Sequence, residues 1–564
     1  MTREAQPLRK ARAVAGAAIF SAAAALGCGS LNTPAESRTM AAHEASSAVG
    51  FHRFVFDSFH SLSRPAMERS AVPWKVLAAA MLVDDAERRH APTGPWTEDD
   101  FGRLLERRHG FIVPARVANW PAGEAQPTFK RPLGIVSGTL ARRLPSVEIE
   151  LANLGCSTCH SGVLYDAAGN PTRDAWIGLP SASIDLGRYA EDVYRALGRA
   201  TDRPDETLAQ VRAIFPGVSE TELTSLRRYY FPALGKRIAE LRSTIDAFTP
   251  YSNGGPGLTN GVATLKLYLG VIDRRRRDPT QTAFTSVPDL APLRLRPSIL
   301  WDGIYAPPGW SHAGPVDARL SPAARRDGLA GIVSIVTIGT LGVTPEVAET
   351  NIPLVADVVD WATRDYEPPP FPGRVDAALA ARGAAVFERE CARCHGAYEE
   401  TPRGPRVARW PGKMIPADVI DTDPVRATAV AGDANGPFAK TAMAKHVDAR
   451  GPGGYVAPPL TSTWATAPYL HNGSVPTLWH LMHPAARPAR FEVGGHRLDF
   501  ARVGIDGQVG ADGVYRYPAG YKPWMEPEVY DTRTPGRSSA GHVEPFDTMG
   551  EDDKAALVEF LKRV

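Results

Sequence analysis

The chain has 564 residues, 22% of them charged and 43% hydrophobic, a balance that suits a folded globular protein and excludes a disordered or collagen-like one. Sixty-four Lys and Arg against 62 Asp and Glu leave a formal charge of +2, so no global field marks nucleic acid or an anionic membrane as the partner. Gly at 51 positions and Pro at 50 predict many turns and long ordered connections between separate helices, and the length allows about two to four domains.

In chain order, Arg3, Arg9, Lys10 and Arg12 precede an apolar run from Ala13 to Leu26 that closes on Gly27-Cys28. A basic flank, a short apolar core and a small-residue end read as an export signal over residues 1–28. The run is too short and alanine-rich for a membrane span. Ala25-Leu26-Gly27-Cys28 resembles a bacterial lipobox, which implies lipidation of Cys28 and a membrane anchor; ordinary secretion is the alternative. Either way the working chain is expected in the periplasm or outside the cell. Residues 29–110 form an N-terminal extension, read either as the start of the first domain or as a tether followed by peripheral helices.

The five cysteines are Cys28 and two pairs, each followed at once by histidine: Cys156-Ser-Thr-Cys159-His160 and Cys391-Ala-Arg-Cys394-His395. This is the c-type haem attachment pattern, twice. Two thiols three residues apart on a tight turn reach the two vinyl groups of one haem, and the adjacent imidazole lands on the iron. A Cys-x-x-Cys redox pair or a four-Cys zinc site are the alternatives, and both leave two histidines unexplained.

Between the pairs, Ser219-Glu-Thr-Glu222 reads as a capping box opening a helix with Leu223, Leu226, Tyr230, Ile238 and Leu241 on helical spacing. The basic run from Arg274 to Arg277 reads as a solvated loop, or as a docking patch for an acidic partner. Pro368-Pro369-Pro370-Phe371-Pro372 makes a semi-rigid linker and the best domain boundary. Beyond it Leu379, Val386 and Phe387 share one face of a helix leading into the second motif. Near the end, Thr548-Met-Gly-Glu551 reads as a second capping box before Leu557, Phe560, Leu561 and Val564 on one stripe.

Two such motifs, with Leu300-Trp301-Asp302-Gly303 and Gly314-Pro315-Val316 between them, resemble the bacterial di-haem cytochrome c peroxidase superfamily. That superfamily also contains the di-haem enzyme that matures methylamine dehydrogenase and the haem c rubber oxygenases. The stretch from Thr466 to Leu478, with Pro468-Tyr469-Leu470-His471-Asn472-Gly473 at its centre, and Ala540-Gly541-His542 look most like the rubber-oxygenase branch. The resemblance covers roughly residues 130 to 564. It implies a mainly α fold of two cytochrome c-like haem domains, 111–367 and 374–564, with long Gly/Pro-rich loops and few short strands.

The resemblance implies two covalent haem c groups with His160 and His395 as proximal iron ligands. Trp301 becomes an electron relay between the haems, a buried structural Trp being the bland alternative. His542 becomes the sixth ligand of the second haem, with Met482, His483 and Met549 as fallbacks. A bis-histidine second haem is a low-spin electron store, so chemistry falls to the first haem, with His160 and Trp301 as its working residues. Related peroxidases carry a glutamate shortly after Gly-Pro-Val as general acid and base; here Asp317 follows instead, which disfavours ordinary peroxidase chemistry. His471 is expected to pack in a sharp turn near a haem edge without ligating iron. His312, His480 and His496 are read as exposed or locally hydrogen-bonded. Related peroxidases bind calcium through backbone carbonyls of a segment matching Thr466 and Pro468. The leading expectation is an oxygenase-like haem oxidoreductase acting with dioxygen or peroxide on a hydrophobic substrate, fed by a small redox protein. Hydrogen peroxide reduction comes second, and a non-catalytic electron carrier with both irons six-coordinate third.

Overall fold

The computed structural model describes residues 48–57, 59–62, 70–242, 250–273, 281–430 and 434–564. The expected export signal with Cys28, and the basic run from Arg274 to Arg277, lie outside these residues. Helix makes up 38% and strand 16%, so the molecule is mixed, which corrects the expectation of a mainly α fold with few strands. The reason lies in the long connections. Buried backbone must find hydrogen-bond partners, and many loop segments do so by pairing as strands of two to five residues.

The first half has two cores. Helix Pro322–Thr340 runs through the larger one: Ser321 caps it by accepting from the Ala324 amide at 3.1 Å, Pro322 opens it, and Leu329, Ile332, Ile335 and Ile338 are fully buried. Phe438, Met443, Val447 and Ala449 join this core, so the chain returns to the first half after the proline-rich linker. The other core gathers helix Trp74–Arg88 and helices Leu186–Asp202 and Pro204–Ile214 around an antiparallel sheet. In that sheet Val147–Leu154 pairs with Ile135–Arg142 on one side and Val72–Pro73 on the other. The Ser219 hydroxyl accepts from the Glu222 amide at 3.0 Å and opens helix Glu220–Ser225, which continues through a π turn into helix Phe231–Arg242, as the spacing predicts.

In the second half, helix Ala377–Glu390 crosses helix Glu551–Leu561 at Gly383, where a Cβ would sit 1.9 Å from the Ala556 carbonyl oxygen. Phe387 and Phe560 meet beside the crossing at 5.1 Å between ring centres. The expected capping box at Thr548 does not form. Gly550 takes the N-cap position, and the Thr548 hydroxyl donates to the Pro545 carbonyl at 3.3 Å instead. A four-stranded sheet, ordered Gln508–Val509, Val514–Arg516, Arg490–Val493, Glu528–Asp531, completes this half. Among the described residues no helix is long and apolar enough to cross a membrane.

Candidate cofactor site at the two cysteine-histidine motifs

Strand Val147–Leu154 delivers the chain through Gly155 into a 3-10 turn over Cys156–Thr158, and strand Ser161–Tyr165 carries it away. The His160 amide donates to the Cys156 carbonyl at 3.1 Å, closing the turn. Thr158 donates its hydroxyl to the Gly134 carbonyl at 3.0 Å. Gly134 must be glycine here: its φ is +81° and a Cβ would lie 2.1 Å from Thr158. The His160 Nδ1 donates to the Pro288 carbonyl at 3.1 Å. That bond fixes the tautomer and leaves the Nε2 lone pair for a metal. Burial pushes His160 down to about 4, so the neutral, ligating form is the resting one.

The second motif repeats the device on a different support. Helix Ala377–Glu390 ends at Cys391, a short helical turn covers Ala392–His395, and the His395 amide donates to the Cys391 carbonyl at 2.9 Å. His395 Nδ1 donates to the Pro458 carbonyl at 2.8 Å, and burial again holds this imidazole below its ordinary value. Pro288 and Pro458 were not picked out from the sequence. No local signal marks them: Pro288-Asp289-Leu290 and Pro458-Pro459-Leu460 share a Pro-x-Leu spelling, but Pro232-Ala233-Leu234, Pro256-Gly257-Leu258, Pro468-Tyr469-Leu470 and Pro476-Thr477-Leu478 share it too.

Cys156, Cys159, Cys391 and Cys394 are unbridged. Burial pushes the thiols of Cys156, Cys159 and Cys391 up to about 12, the reverse of what a reactive redox pair needs. Among the described residues no three His, Cys, Asp or Glu side chains converge as they would around zinc or calcium. Two free thiols with an adjacent tautomer-fixed imidazole, twice, are the donor set that haem c requires.

His542 comes to the second motif. Two imidazoles bound to opposite sides of one metal, at the usual bond length of about 2 Å, have ring centres roughly 6 Å apart. The His395 and His542 rings stand 6.1 Å apart at 41°. The loop that carries His542 is pinned: its amide donates to the Ile420 carbonyl at 2.9 Å, and Arg487 donates to the carbonyls of Ser539 at 2.6 Å and Gly541 at 2.8 Å. Gly541 passes so close to Asp421 and Thr422 that a Cβ would lie 2.5 Å from their backbone. Burial pushes His542 down to about 4, and its Nδ1 is buried without a partner. The fallback residues are occupied elsewhere. His483 uses both ring nitrogens, on the Trp479 carbonyl at 2.6 Å and on Glu551 at 2.9 Å, while Met482 and Met549 pack into the apolar core.

The first motif is different. Among the described residues, the one aromatic contact of the His160 ring is Phe54, at 6.2 Å and 60°. Phe54 stands on helix Val49–Phe56 and touches Trp361 at 5.1 Å. No sequence signal pointed to Phe54.

Trp301 spans the two arrangements. Its indole N–H donates to the Ser286 carbonyl at 2.9 Å, two residues before Pro288. Its own carbonyl accepts from the Val456 amide at 2.9 Å, two residues before Pro458. The neighbouring Asp302 locks this position through a buried pair with Arg426, at 2.9 and 3.2 Å, with side-chain exposures of 3% and 2%. His471 lies alongside: its carbonyl accepts from the Ser286 amide at 2.8 Å, and its ring stacks on Tyr455 at 4.1 Å. Burial pushes His471 down to about 3 and leaves its Nε2 without a partner.

Of the other expected site residues, Asp317 is exposed and paired with Arg319 two residues on, which holds its carboxyl down at about 2. Thr466 and Pro468 line a small cleft with Leu258, Val287 and Tyr530; the Thr466 hydroxyl donates to the Thr463 carbonyl at 2.9 Å, and nothing there supports calcium. His480 is locally bonded to Thr477 at 2.8 Å and His312 to the Gly303 carbonyl at 2.8 Å. His496 is a correction: it is buried and bonds the Tyr165 hydroxyl at 2.9 Å across the two halves.

A family model described as RoxA-like, cytochrome c-like, matches residues 454–492, the stretch holding Pro458 and His471. Two Sinorhizobium fredii proteins, uncharacterized protein y4iM and uncharacterized protein y4iJ, are each 31% identical to this chain, over 248 and 260 residues. The alignments cover 38% and 35% of this chain, and 54% and 41% of those proteins, so the chain spans about half the length of the curated relatives it matches. The matched stretch is similar to the rubber-oxygenase-like branch of haem c proteins and points to a haem c oxidoreductase.

Proposed function

We propose that this chain is an exported di-haem c oxidoreductase of the di-haem cytochrome c peroxidase superfamily, reacting at the haem of Cys156, Cys159 and His160. Cys391, Cys394 and His395 would hold the second haem, which would supply electron storage and transfer. The observation that carries this reading is the asymmetry between the sites: His395 has His542 at 6.1 Å, whereas His160 has the apolar ring of Phe54 at 6.2 Å. Two strong-field imidazoles close an iron to substrate, and one imidazole leaves a position open.

Haem c supplies one-electron redox chemistry and the activation of dioxygen or peroxide. This chain's residues hold, orient and insulate. The Cys156 and Cys159 thiols would hold one haem, the Pro288 carbonyl fixes the orientation of the His160 ring, and the buried rings of Phe54 and Trp361 line it with apolar surface. Trp301 joins the two proline-bearing segments and is the relay. Asp317, exposed and paired with Arg319, is no general acid, so the reading favours oxygen insertion into a hydrophobic substrate over peroxide reduction. Export with lipidation at Cys28, and supply of electrons by a small redox protein, belong to the same proposal.

The test is the electron paramagnetic resonance spectrum of the isolated protein, beside that of His542→Ala. One high-spin and one low-spin ferric signal are expected in the wild type. In the variant the low-spin signal is expected to disappear while both haems stay covalently attached. Two low-spin signals indifferent to His542→Ala would replace this reading with the electron carrier.

A further inference from the structure

We propose that Tyr366, paired with Asp289, is a redox-active tyrosine that would give an electron to the haem of His160 whenever that haem is oxidised, hydrogen peroxide being the oxidant that the test supplies in place of the favoured oxygen chemistry. The inference rests on the di-haem reading above and adds a second electron source to it, separate from Trp301.

Tyr366 is 1% exposed and donates its hydroxyl to Asp289 Oδ2 at 2.9 Å. Other buried tyrosines are satisfied differently. Tyr455, Tyr515, Tyr517 and Tyr530 each donate to a backbone carbonyl, at 2.6 to 2.8 Å. A carbonyl satisfies a hydroxyl but takes no proton, whereas a carboxylate does. A tyrosine that loses an electron in a dry interior must also lose its phenolic proton, because the cation that would otherwise form has no solvation there. Tyr366 has its acceptor in place.

Asp289 is arranged as that acceptor. Ser462 donates to the same Oδ2 at 2.9 Å, and the Ala291 amide donates to Oδ1 at 2.6 Å, so three donors hold an ionised carboxylate in a buried site. Burial pushes Asp289 up to about 6, which makes it a stronger base than an exposed carboxylate while leaving it ionised at neutral pH.

The position relative to the first motif is equally specific. The Tyr366 ring occupies the space left by the missing side chain of Gly178, where a Cβ would lie 2.2 Å from the ring. The Gly178 amide donates to the His160 carbonyl at 2.9 Å, and Asp289 directly follows Pro288, whose carbonyl holds the His160 ring. A continuous series of rings joins the two: Tyr366 to Trp361 at 5.7 Å, Trp361 to Phe54 at 5.1 Å, Phe54 to His160 at 6.2 Å.

The step balances as follows. Hydrogen peroxide takes two electrons and two solvent protons and leaves as two waters. Of the two electrons, Tyr366 would supply one and the haem held by Cys156, Cys159 and His160 would supply the other, while the phenolic proton crosses to Asp289 Oδ2, leaving a neutral tyrosyl radical beside a neutral carboxylic acid. Two electrons arriving later would restore both centres, and the one that reduces the tyrosyl radical is matched by the proton that Asp289 Oδ2 gives back to the phenol.

The test mixes the holoprotein with stoichiometric hydrogen peroxide, freezes it and reads the free-radical region by electron paramagnetic resonance, with haem content measured on the same samples. A tyrosyl signal is expected in the wild type, lost in Tyr366→Phe, strongly diminished in Asp289→Asn, and retained in Tyr165→Phe, which removes a second tyrosine set against a proton acceptor, His496 at 2.9 Å. Two intact haems with no tyrosyl signal, or a signal that survives Tyr366→Phe, would overturn the assignment alone. Wild-type protein that binds no haem would overturn the di-haem reading as well. Growth on ring-deuterated tyrosine narrows a tyrosyl signal in the unmodified chain, and absence of narrowing there would overturn the assignment even where a variant fails to fold.

Discussion

Trp301 is tied by its indole nitrogen to the segment that holds His160, and by its carbonyl to the segment that holds His395. Trp301→Phe keeps an aromatic ring but removes the bond to Ser286. On the di-haem reading proposed above, transfer between the haems is expected to slow about tenfold or more, equivalent to roughly 1.4 kcal/mol of barrier, with both haems still attached. Stopped-flow reduction followed at each haem measures it, and a wild-type rate would move the relay elsewhere. At this scale the sequence was readable where the chemistry is local. Two cysteines and a histidine within one turn announce themselves, whereas Pro288 and Pro458 share their Pro-x-Leu spelling with several other stretches and do not. Phe54, Asp289 and Ser462 carry no local mark, because each acquires its role from a partner far along the chain.

Among elements, the crossing of helices Ala377–Glu390 and Glu551–Leu561 depends on Gly383, whose missing side chain lets a backbone approach within van der Waals distance. Gly383→Val would force the helices apart. Overpacking of this kind costs about 1–3 kcal/mol, and with a Cβ 1.9 Å from the Ala556 carbonyl oxygen the upper end is expected, on the element that ends at Cys391. On the proposed di-haem reading, urea unfolding followed by absorbance of the haem at Cys391 and Cys394 is expected to shift to lower urea, with the transition at the other haem less affected. Both of these helices were legible from their apolar stripes. The short strands were not, since a strand of two to five residues has too few positions to display a period of two. The capping box at Thr548 misled for a related reason: the motif is only a spacing, and Gly550 occupies the N-cap position in its place.

Across the whole molecule, burial sets the response to acid. His109 and His471 are pushed down to about 3, and His480 and His496 to about 4. Folded, these four stay neutral, whereas in the unfolded chain each takes up a proton below about 6.5. The unfolded state therefore binds more protons in that window, and stability is expected to fall as pH drops from about 6.5 to 4. Asp289, with its carboxyl pushed up to about 6, acts in the opposite sense, as do Glu106, Asp185 and Asp506, whose carboxyls burial also raises. Urea midpoints at pH 7 and pH 5 check the balance; an unchanged midpoint would show that these histidines take up protons without unfolding. The proline-rich stretch did announce a change in the chain's course. What it concealed is the interleaving: Phe438 to Ala449 lie in the first half's core, His496 bonds Tyr165, and Ser462 bonds Asp289.

That interleaving bears on what a protease could achieve. Pro369 accepts from the Trp464 indole at 3.3 Å, and Phe371 packs against Trp464 and Phe500, so the stretch between the halves is itself docked. A cut there would sever the polypeptide without freeing either piece. The fragments would remain clasped through Trp301, Asp289 and His496, and the nicked protein would travel as one particle until denatured.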